Sequence, residues 1–322
     1  MSDNQPIAYL DYSGRDDVLS GGVNMIPIET SKGVFHVWTK RIGNQPTVKV
    51  LLLHGGPGAT HEYLEAFDSY FPRAGIEYYY YDQLGSYYSD QPSEPELVEL
   101  GRFVEEVEQV RKALALDREN FYLFGHSWGG LLSIEYALKY QQHLKGLIIS
   151  NMMASGPQYN EYAERVLKPM MDQDALAKIQ GYEEAAEYEN PHYMDLLIEH
   201  YYIYHILRMP HKDWPDPVNR GFKNLNPAVY IPMQGPSELG ASGMLENWDR
   251  TADLAKITVP TLVIGAQHDT MDPAHMQWMA ATVQHGRYLY CPNGSHLALY
   301  DDQTIYFRGL IQFIQDVDAG QF

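Results

Sequence analysis

The stretch FYLFGHSWGG, residues 121–130, constrains the fold more than any other part of the sequence. Its first residues form a short apolar run that predicts a buried strand, and the residues after it have the spacing of a helix. Between them, Ser127 is flanked by Gly125 and Gly129 in the pattern G-x-S-x-G. This pattern is typical of a sharp strand-to-helix turn, where glycines are needed because the two elements nearly touch. The sequence therefore predicts that the Ser127 hydroxyl stands above a sheet.

Other segments repeat the alternation of strands and helices. LVELGRFVEEVEQVRKALAL, residues 97–116, places its apolar residues on one helical face. VFHVWTKRI, residues 34–42, alternates apolar and polar residues and predicts an edge or antiparallel strand. The runs that predict buried strands are VKVLLLHGG, EYYYYDQLG, LKGLIISN, ITVPTLVIGAQ and GRYLYCPNGS. We therefore expect an α/β fold with a mostly parallel central sheet flanked by helices.

The composition changes after the strand predicted to end near residue 150. Residues 157–239 are rich in Tyr, Glu, Met and His, and they contain helical stretches such as NPHYMDLLIEHYYIYHILRM without a clear buried strand. The sheet pattern then resumes. We therefore expect a core domain of residues 1–156 and 240–322, interrupted by a helical cap domain of residues 157–239.

The charge balance limits the partners that the chain can bind. The sequence has 42 acidic and 23 basic residues and a net charge of −19, and such a field repels nucleic acid and anionic lipid. The single cysteine, Cys291, cannot form an internal disulfide, and no Cys/His spacing resembles a metal site. The sequence has neither the pattern of a signal peptide nor an apolar run of about 18 residues. We expect a soluble, cytoplasmic protein without nucleic-acid, membrane or metal partners, whose oligomeric state the sequence leaves open.

Two downstream residues complete a candidate catalytic triad. A serine hydroxyl needs a base to become nucleophilic, and the base needs a carboxylate to orient it. In folds with this type of turn the chain order is Ser, Asp, His. TLVIGAQHDTMDP places Asp269 just after one predicted strand, and YLYCPNGSHLALY places His296 just after the next. We therefore expect Ser127, Asp269 and His296 to act together.

Nearby residues offer alternatives for the acid and the base. Asp272 shares the acid loop, but Pro273 follows it, so capping of a helix is its favoured role. His268 lies next to Asp269 and comes from the wrong loop for the base. His126 lies inside the sharp turn, where a packed and hydrogen-bonded histidine is the commoner state.

Acyl transfer by a serine also needs donors for the oxyanion. The N–H of Trp128, directly after the serine, is the first candidate. The second is expected in HGGPG, residues 54–58, where we prefer Gly56 over Gly55. A simple glycine-rich turn is the alternative for this loop.

Several motifs together resemble the proline iminopeptidases, or prolyl aminopeptidases, of the α/β-hydrolase superfamily. They occur in that family's order over most of the chain: HGGPG, YDQLGSYYSD, GHSWGG, GPSE, WD, HDTMDP and GSH. HGGPG together with GHSWGG and GPSE is more specific than G-x-S-x-G alone. The resemblance implies an α/β-hydrolase fold and release of an amino-terminal residue, preferably proline, from peptides, amides or arylamides without a cofactor.

An enzyme that releases amino-terminal residues needs a group that binds the free substrate amine. Glu238, in GPSE, is the candidate, because a carboxylate in a closed pocket fixes the amine so that only the first peptide bond reaches the serine. In the family that the chain resembles, this glutamate holds the amine; a surface glutamate is the alternative. Gly55 and Gln83 are further candidates for substrate contact. Some relatives carry a second glutamate where this chain has Thr270, so we expect a cap glutamate from residues 183–199 to complete the acidic site.

Other functions fit parts of the sequence. An esterase or an amino-acid amidase would use the same triad on a different acyl group. A non-catalytic receptor with the same fold would bind a small ligand under its cap and keep the triad. Epoxide hydrolases and dehalogenases of this fold carry an aspartate at the position of Ser127, which argues against them.

Overall fold

An eight-stranded sheet forms the centre of the structure, a computed structural model that describes residue 9 and residues 11–322. The strands are β1 (Val23–Thr30), β2 (Gly33–Ile42), β3 (Lys49–Leu53), β4 (Glu77–Asp82), β5 (Phe121–His126), β6 (Gly146–Ser150), β7 (Thr261–Ala266) and β8 (Gly286–Cys291). Their order across the sheet is β1-β2-β4-β3-β5-β6-β7-β8. β2 pairs antiparallel with β1 and β4, and the other neighbours pair in parallel. The mostly parallel sheet is therefore confirmed.

The antiparallel end of the sheet contains a strand that the sequence pattern did not reveal. The strand predicted at residues 34–42 is confirmed as antiparallel, but it lies between β1 and β4 rather than at the edge. β1 forms the edge, with Pro27 opposite His36. Because proline has no N–H to donate, it is tolerated in an edge strand, and its presence weakens the sequence signal for a strand.

The described residues form thirteen α-helices, some of which pack against the two faces of the sheet. They are α1 (Phe71–Ala74), α2 (Leu100–Ala113), α3 (Trp128–Tyr140), α4 (Gly156–Tyr162), α5 (Lys168–Met170), α6 (Gln173–Glu184), α7 (Pro191–Leu197), α8 (Ile203–His205), α9 (Asp216–Lys223), α10 (Pro227–Met233), α11 (Pro273–Thr282), α12 (Ala298–Asp301) and α13 (Gln303–Asp318). Alternate residues of β3 point to opposite faces: Leu51 joins a buried cluster with α2, α3 and α11, whereas Leu52 joins another with α13. The core is therefore two apolar layers, one on each side of the sheet.

The chain between β6 and β7 is helical. It contains α4 to α10, and π-helical turns at Ala163–Leu167 and Ile198–Tyr202 continue α4 into α5 and α7 into α8. Among the described residues, no strand lies between Ser150 and Thr261; Ser155 and Asp249 form an isolated bridge. The inserted helices confirm the helical cap as part of the fold, whereas the domain boundaries at residues 157 and 239 stay a prediction.

The described residues contain no helix with the length and apolar composition needed to cross a membrane. They also contain no group of three or more His, Cys, Asp or Glu side chains placed to hold a metal ion. Cys291 is a buried free thiol at the end of β8, where burial raises its pKa.

The carboxyl ends of the parallel strands meet at one edge of the sheet. β3 leads into the HGGPG loop of residues 54–58, and β5 leads into Ser127. β7 and β8 lead into the loops that carry Asp269 and His296. Because strand ends of a parallel sheet share an edge, these four loops converge, as in other open α/β sheets.

Candidate active site

Ser127 occupies the sharp turn between β5 and α3. Its backbone has φ 55° and ψ −127°, a conformation that costs an L-residue about 1–3 kcal/mol. A Cβ atom at Gly125 would lie 2.0 Å from the carbonyl oxygen of Gly129, and one at Gly129 would lie 2.2 Å from that of Leu53. Side chains at these two positions would force the strand and the helix apart. The glycines therefore make the predicted turn possible.

Asp269 and His296 form a buried hydrogen-bonded pair. The distance between His296 Nδ1 and Asp269 Oδ1 is 2.7 Å. Because a carboxylate only accepts, Nδ1 carries the proton and Nε2 is left as the base. Ser127 and His296 line the same cavity, although in the described part of the chain no hydrogen bond joins their side chains. Such contacts are often long in an unliganded site and tighten when substrate binds.

Asn151, at the end of β6, holds the other side of the Asp269 carboxylate. Its Nδ2 donates to Asp269 Oδ2 at 2.7 Å, and the backbone N–H of Met271 donates to Oδ1 at 3.1 Å. The hydroxyl of Thr270 lies 3.3 Å from both Asp269 Oδ1 and His296 Nδ1. The carboxylate is therefore fixed facing the imidazole. Sequence reasoning missed Asn151, although its place at a strand end beside β5 and β7 was an available signal.

Opposing effects act on the pKa of His296. Burial lowers this pKa. The carboxylate of Asp269 raises it through its charge and its hydrogen bond, and the charge of Glu238 raises it further. The net result is a pKa above the ordinary histidine value. The proton therefore stays on His296 to a higher pH than on a free histidine. Since the base must be neutral to accept the serine proton, reactivity is lost as the pH falls through this raised pKa.

The raised pKa predicts where the reactivity of Ser127 is lost on the acid side. The rate of inactivation by a neutral fluorophosphonate should fall with decreasing pH, with a midpoint above about 6.5, the ordinary histidine pKa. A neutral probe is used so that no substrate amine titrates. Glu238→Gln should move the midpoint to lower pH, because it removes a charge that favours protonated His296. A wild-type midpoint below 6.5 would contradict this electrostatic account.

The alternatives for the acid and the base have structural roles. Asp272 caps α11 by accepting from the backbone N–H of Ala274 at 2.9 Å, which confirms the predicted cap. His268 lies on the acid loop, and its carbonyl oxygen is 3.0 Å from Nδ1 of His205. His126 is buried, and burial, with a smaller effect of the His296 charge, lowers its pKa to about 3, so it is neutral.

Two backbone N–H groups are free to bind an oxyanion beside Ser127. Within the described residues, neither the N–H of Trp128 nor that of Gly56 has a hydrogen-bond acceptor. The N–H of Gly55, by contrast, donates to the hydroxyl of Tyr63 at 2.7 Å. Gly56 has φ 106°, and a Cβ atom there would lie 2.6 Å from the N atom of Ala59, so the loop conformation requires glycine. This geometry favours Gly56 over Gly55 as the second donor.

A buried hydrogen-bond chain connects three of the loops. The hydroxyl of Tyr63 accepts from Gly55 N–H and lies 3.0 Å from His126 Nδ1, while His126 Nε2 lies 2.8 Å from the carbonyl oxygen of His296. Since a carbonyl only accepts, Nε2 carries the proton, and Nδ1 accepts from Tyr63. The chain therefore joins the oxyanion loop, the turn and the base loop. Nothing in the sequence distinguished Tyr63 among 26 tyrosines.

Removal of the Tyr63 hydroxyl tests this connection. Tyr63→Phe should lower kcat about 10- to 100-fold with little change in KM, because it leaves buried partners on Gly55 and His126 unsatisfied and frees two reacting loops. Tyr70→Phe is the matched control: it also removes a hydroxyl, one that donates to Gln303 at 2.9 Å, and kcat should change less than about twofold. Thermal unfolding of both variants shows whether either substitution destabilises the fold. Equal kcat for the two folded variants would contradict a role of the Tyr63 hydrogen bonds in positioning the loops.

Glu238 lies between the two cavities that contain Ser127. The larger cavity has a volume of about 710 Å³ and also contains Gly55, Gly56 and His296; the smaller has about 20 Å³. Glu238 Oε1 accepts from the hydroxyl of Tyr230 at 2.6 Å. Burial raises the pKa of Glu238, and the nearby charge of His296 and the Tyr230 hydroxyl partly offset this. The carboxylate is thus partly desolvated and close to the reacting groups.

Of the two other residues predicted to contact substrate, Gly55 and Gln83, only the first lies at the cavity. Gly55 lines the large cavity. Gln83 lines neither cavity: it is fully buried, its Oε1 accepts from the indole N–H of Trp128 at 2.8 Å, and its Nε2 donates to the carbonyl oxygen of His54 at 3.2 Å. The predicted substrate contact of Gln83 is therefore corrected to a supporting contact behind the turn. Its amide is satisfied by protein groups, and it positions Trp128.

The cap region expected to supply a second acid, residues 183–199, contains five glutamates, two of which line the large cavity. Glu183 accepts from the hydroxyls of Tyr193 and Ser237, both at 2.8 Å, and does not line the large cavity. Glu187 and Glu189 line that cavity and are exposed. The region therefore adds Glu187 and Glu189 to the cavity wall. Binding of the substrate amine by a second carboxylate stays a prediction.

Comparison with known proteins identifies the family. Residues 49–303 match the α/β hydrolase fold family. The chain is 57% identical over 300 residues to a proline iminopeptidase from Elizabethkingia meningoseptica, covering 92% of this chain and 100% of the relative. The chain belongs to the proline iminopeptidase family. The resemblance predicted from the motifs is therefore confirmed.

Solved structures agree with this family membership. The crystal structure of VinJ aligns with a TM-score of 0.84 at 27% identity, covering 91% of this chain and 99% of VinJ. The crystal structure of a proline iminopeptidase from Mycobacterium smegmatis aligns with a TM-score of 0.81 at 26% identity, covering 93% and 100% of the two chains. Since each alignment covers more than nine-tenths of this chain, the likeness includes most of the inserted helices as well as the sheet.

Proposed function

We propose that this protein is a serine aminopeptidase that removes the amino-terminal residue, preferably proline, from peptides, amides or arylamides through an acyl-enzyme. The observation that carries the proposal is Glu238, a partly desolvated carboxylate in the same cavity as Ser127 and His296. The names of the closely similar relatives support the preference for proline. No cofactor is part of this chemistry, and the cytoplasmic location stays a prediction.

Glu238 selects the free amino terminus. A prolyl amine is a secondary ammonium with two N–H groups, and a carboxylate with one hydroxyl donor keeps acceptor positions for both. The hydrogen bond from Tyr230 holds the carboxylate in place. Once the ammonium is bound, the first carbonyl carbon is the one within reach of Ser127, because the amine and that carbon belong to the same residue. The predicted cap of residues 157–239 therefore supplies specificity, and the sheet edge supplies the chemistry.

The reaction proceeds in two steps at the sheet edge. His296 Nε2 takes the proton of Ser127 as Oγ attacks the carbonyl carbon, and Asp269 stabilises the imidazolium. The N–H groups of Trp128 and Gly56 bind the oxyanion. His296 then passes its proton to the leaving amine, and the prolyl ester on Ser127 remains. In the second step a water molecule, deprotonated by His296, hydrolyses this ester and releases the free amino acid.

Removal of the nucleophile tests the triad. Ser127→Ala should fold normally and lose at least about a thousandfold in kcat on a prolyl arylamide, because no acyl-enzyme can form. Steady-state hydrolysis, together with loss of fluorophosphonate labelling and an unchanged circular dichroism spectrum, checks this. Retained turnover in a preparation free of contaminating peptidase would rule out the mechanism.

Replacement of Glu238 by its amide tests the amine contact. Glu238→Gln should lower kcat/KM on a prolyl arylamide about 10- to 100-fold, the size of one charge-assisted hydrogen bond. Hydrolysis of p-nitrophenyl butyrate, a neutral ester, should change less than about threefold. Glu184→Gln, at an exposed position on α6, is the matched control and should affect neither substrate. Equal losses on both substrates would remove Glu238 from amine recognition.

A further inference from the structure

The large cavity is much bigger than the residue that the reaction releases. Its volume of about 710 Å³ falls within the roughly 300–1,000 Å³ of pockets that enclose whole drug-sized ligands. One end holds the reacting groups, with Ser127, His296 and Glu238. A single proline fills a small part of this space, so the cavity has room for the group on the other side of the scissile bond as well.

The lining also includes large apolar side chains, those of Met194 of α7, Phe222 of α9, Leu225, and Ile231 of α10. Met194 and Phe222 are each 37% exposed, so part of the apolar surface of each side chain is open to solvent. A bound apolar group would remove this surface from water, which stabilises the complex.

The charges of the cavity wall all have one sign. The described residues that line it include three carboxylates, those of Glu187, Glu189 and Glu238, and no Lys or Arg. Arg220, on α9, is not among the lining residues, and it pairs with Glu62, with Glu65 at 2.6 Å and with Asp216 at 2.7 Å. The lining therefore offers no fixed cation to a negatively charged group.

We propose that this cavity selects leaving groups that are apolar and uncharged: prolyl amides, prolyl arylamides and longer peptides with an apolar second residue, in preference to free prolyl dipeptides. This inference rests on the proposed aminopeptidase function. A free dipeptide carries a carboxylate on its second residue, only a few bonds from the scissile amide. Because Glu238 is paired with the substrate ammonium, the carboxylate faces the remaining charges of Glu187 and Glu189 and finds no Lys or Arg in the lining, so both the lost hydration and the repulsion oppose binding. In a prolyl amide this carboxylate is absent, and in a longer peptide it lies farther from the scissile bond.

Matched substrates separate the charge from the shape of the leaving group. The values of kcat/KM should be measured for Pro-Phe, Pro-Phe-NH₂ and Pro-Gly-NH₂ at one pH and ionic strength. Pro-Phe-NH₂ should exceed Pro-Phe by at least about tenfold, because only the free carboxylate is desolvated without a partner. It should also exceed Pro-Gly-NH₂ by about tenfold, since the phenyl ring buries apolar surface.

A charge reversal at the cavity wall tests the assignment to residues. The double variant Glu187→Lys, Glu189→Lys should narrow the ratio of Pro-Phe-NH₂ to Pro-Phe at least about threefold, a modest change because both positions are exposed and screened. Glu184→Lys adds a charge of the same sign at an exposed position of α6 outside the lining and should leave the ratio unchanged. An unchanged ratio in the double variant would overturn the role of these two carboxylates.

The outcomes distinguish this inference from the function on which it rests. Equal kcat/KM for Pro-Phe and Pro-Phe-NH₂ would overturn the selectivity while leaving the aminopeptidase intact. Absence of cleavage for every prolyl substrate, including an arylamide, would overturn the proposed function and the selectivity with it. Cleavage of all three substrates in the expected order, with the ratio narrowed in the double variant, supports both.

Discussion

The close approach of β5 and α3 at Ser127 is the constraint on which the rest of the site depends. A side chain at Gly125 or Gly129 would collide with backbone oxygen atoms, so the turn exists only with glycine at both positions. The turn puts the serine at the amino end of α3, where unpaired N–H groups and the helix dipole favour a developing negative charge. Asp269, His296 and the HGGPG loop follow neighbouring parallel strands, so they lie at the same edge of the sheet as Ser127.

Hydrogen bonds between loops hold these groups in register. The chain from Gly55 through Tyr63 and His126 to the backbone of His296 links the oxyanion loop to the base. Asn151 fixes the acid from the neighbouring strand. These buried hydrogen bonds therefore fix the positions of the loops relative to one another. Reaction geometry of this kind is sensitive to small errors in position, which is why buried contacts without chemistry of their own affect the rate.

The sequence predicted the parts of the site that follow from chain pattern, and it missed those that depend on packing. The triad could be predicted because strand ends of a parallel sheet share an edge, so position along the chain implies proximity. Tyr63 contacts His126 from 63 positions away, and no local pattern marks such a contact. Gln83 was selected by its motif, but a motif does not give the direction of a side chain, which here turns inward to Trp128.

The central claim is that a carboxylate in the cavity directs a serine nucleophile to the residue with a free amine. The most direct test is kcat/KM of the wild-type protein on prolyl p-nitroanilide and on its N-acetyl derivative, which has the same scissile bond and no ammonium. The account predicts efficient cleavage of the first, and a loss of at least about a hundredfold on the second, because the partly desolvated carboxylate of Glu238 is then left without its partner. Comparable cleavage of both compounds would contradict it.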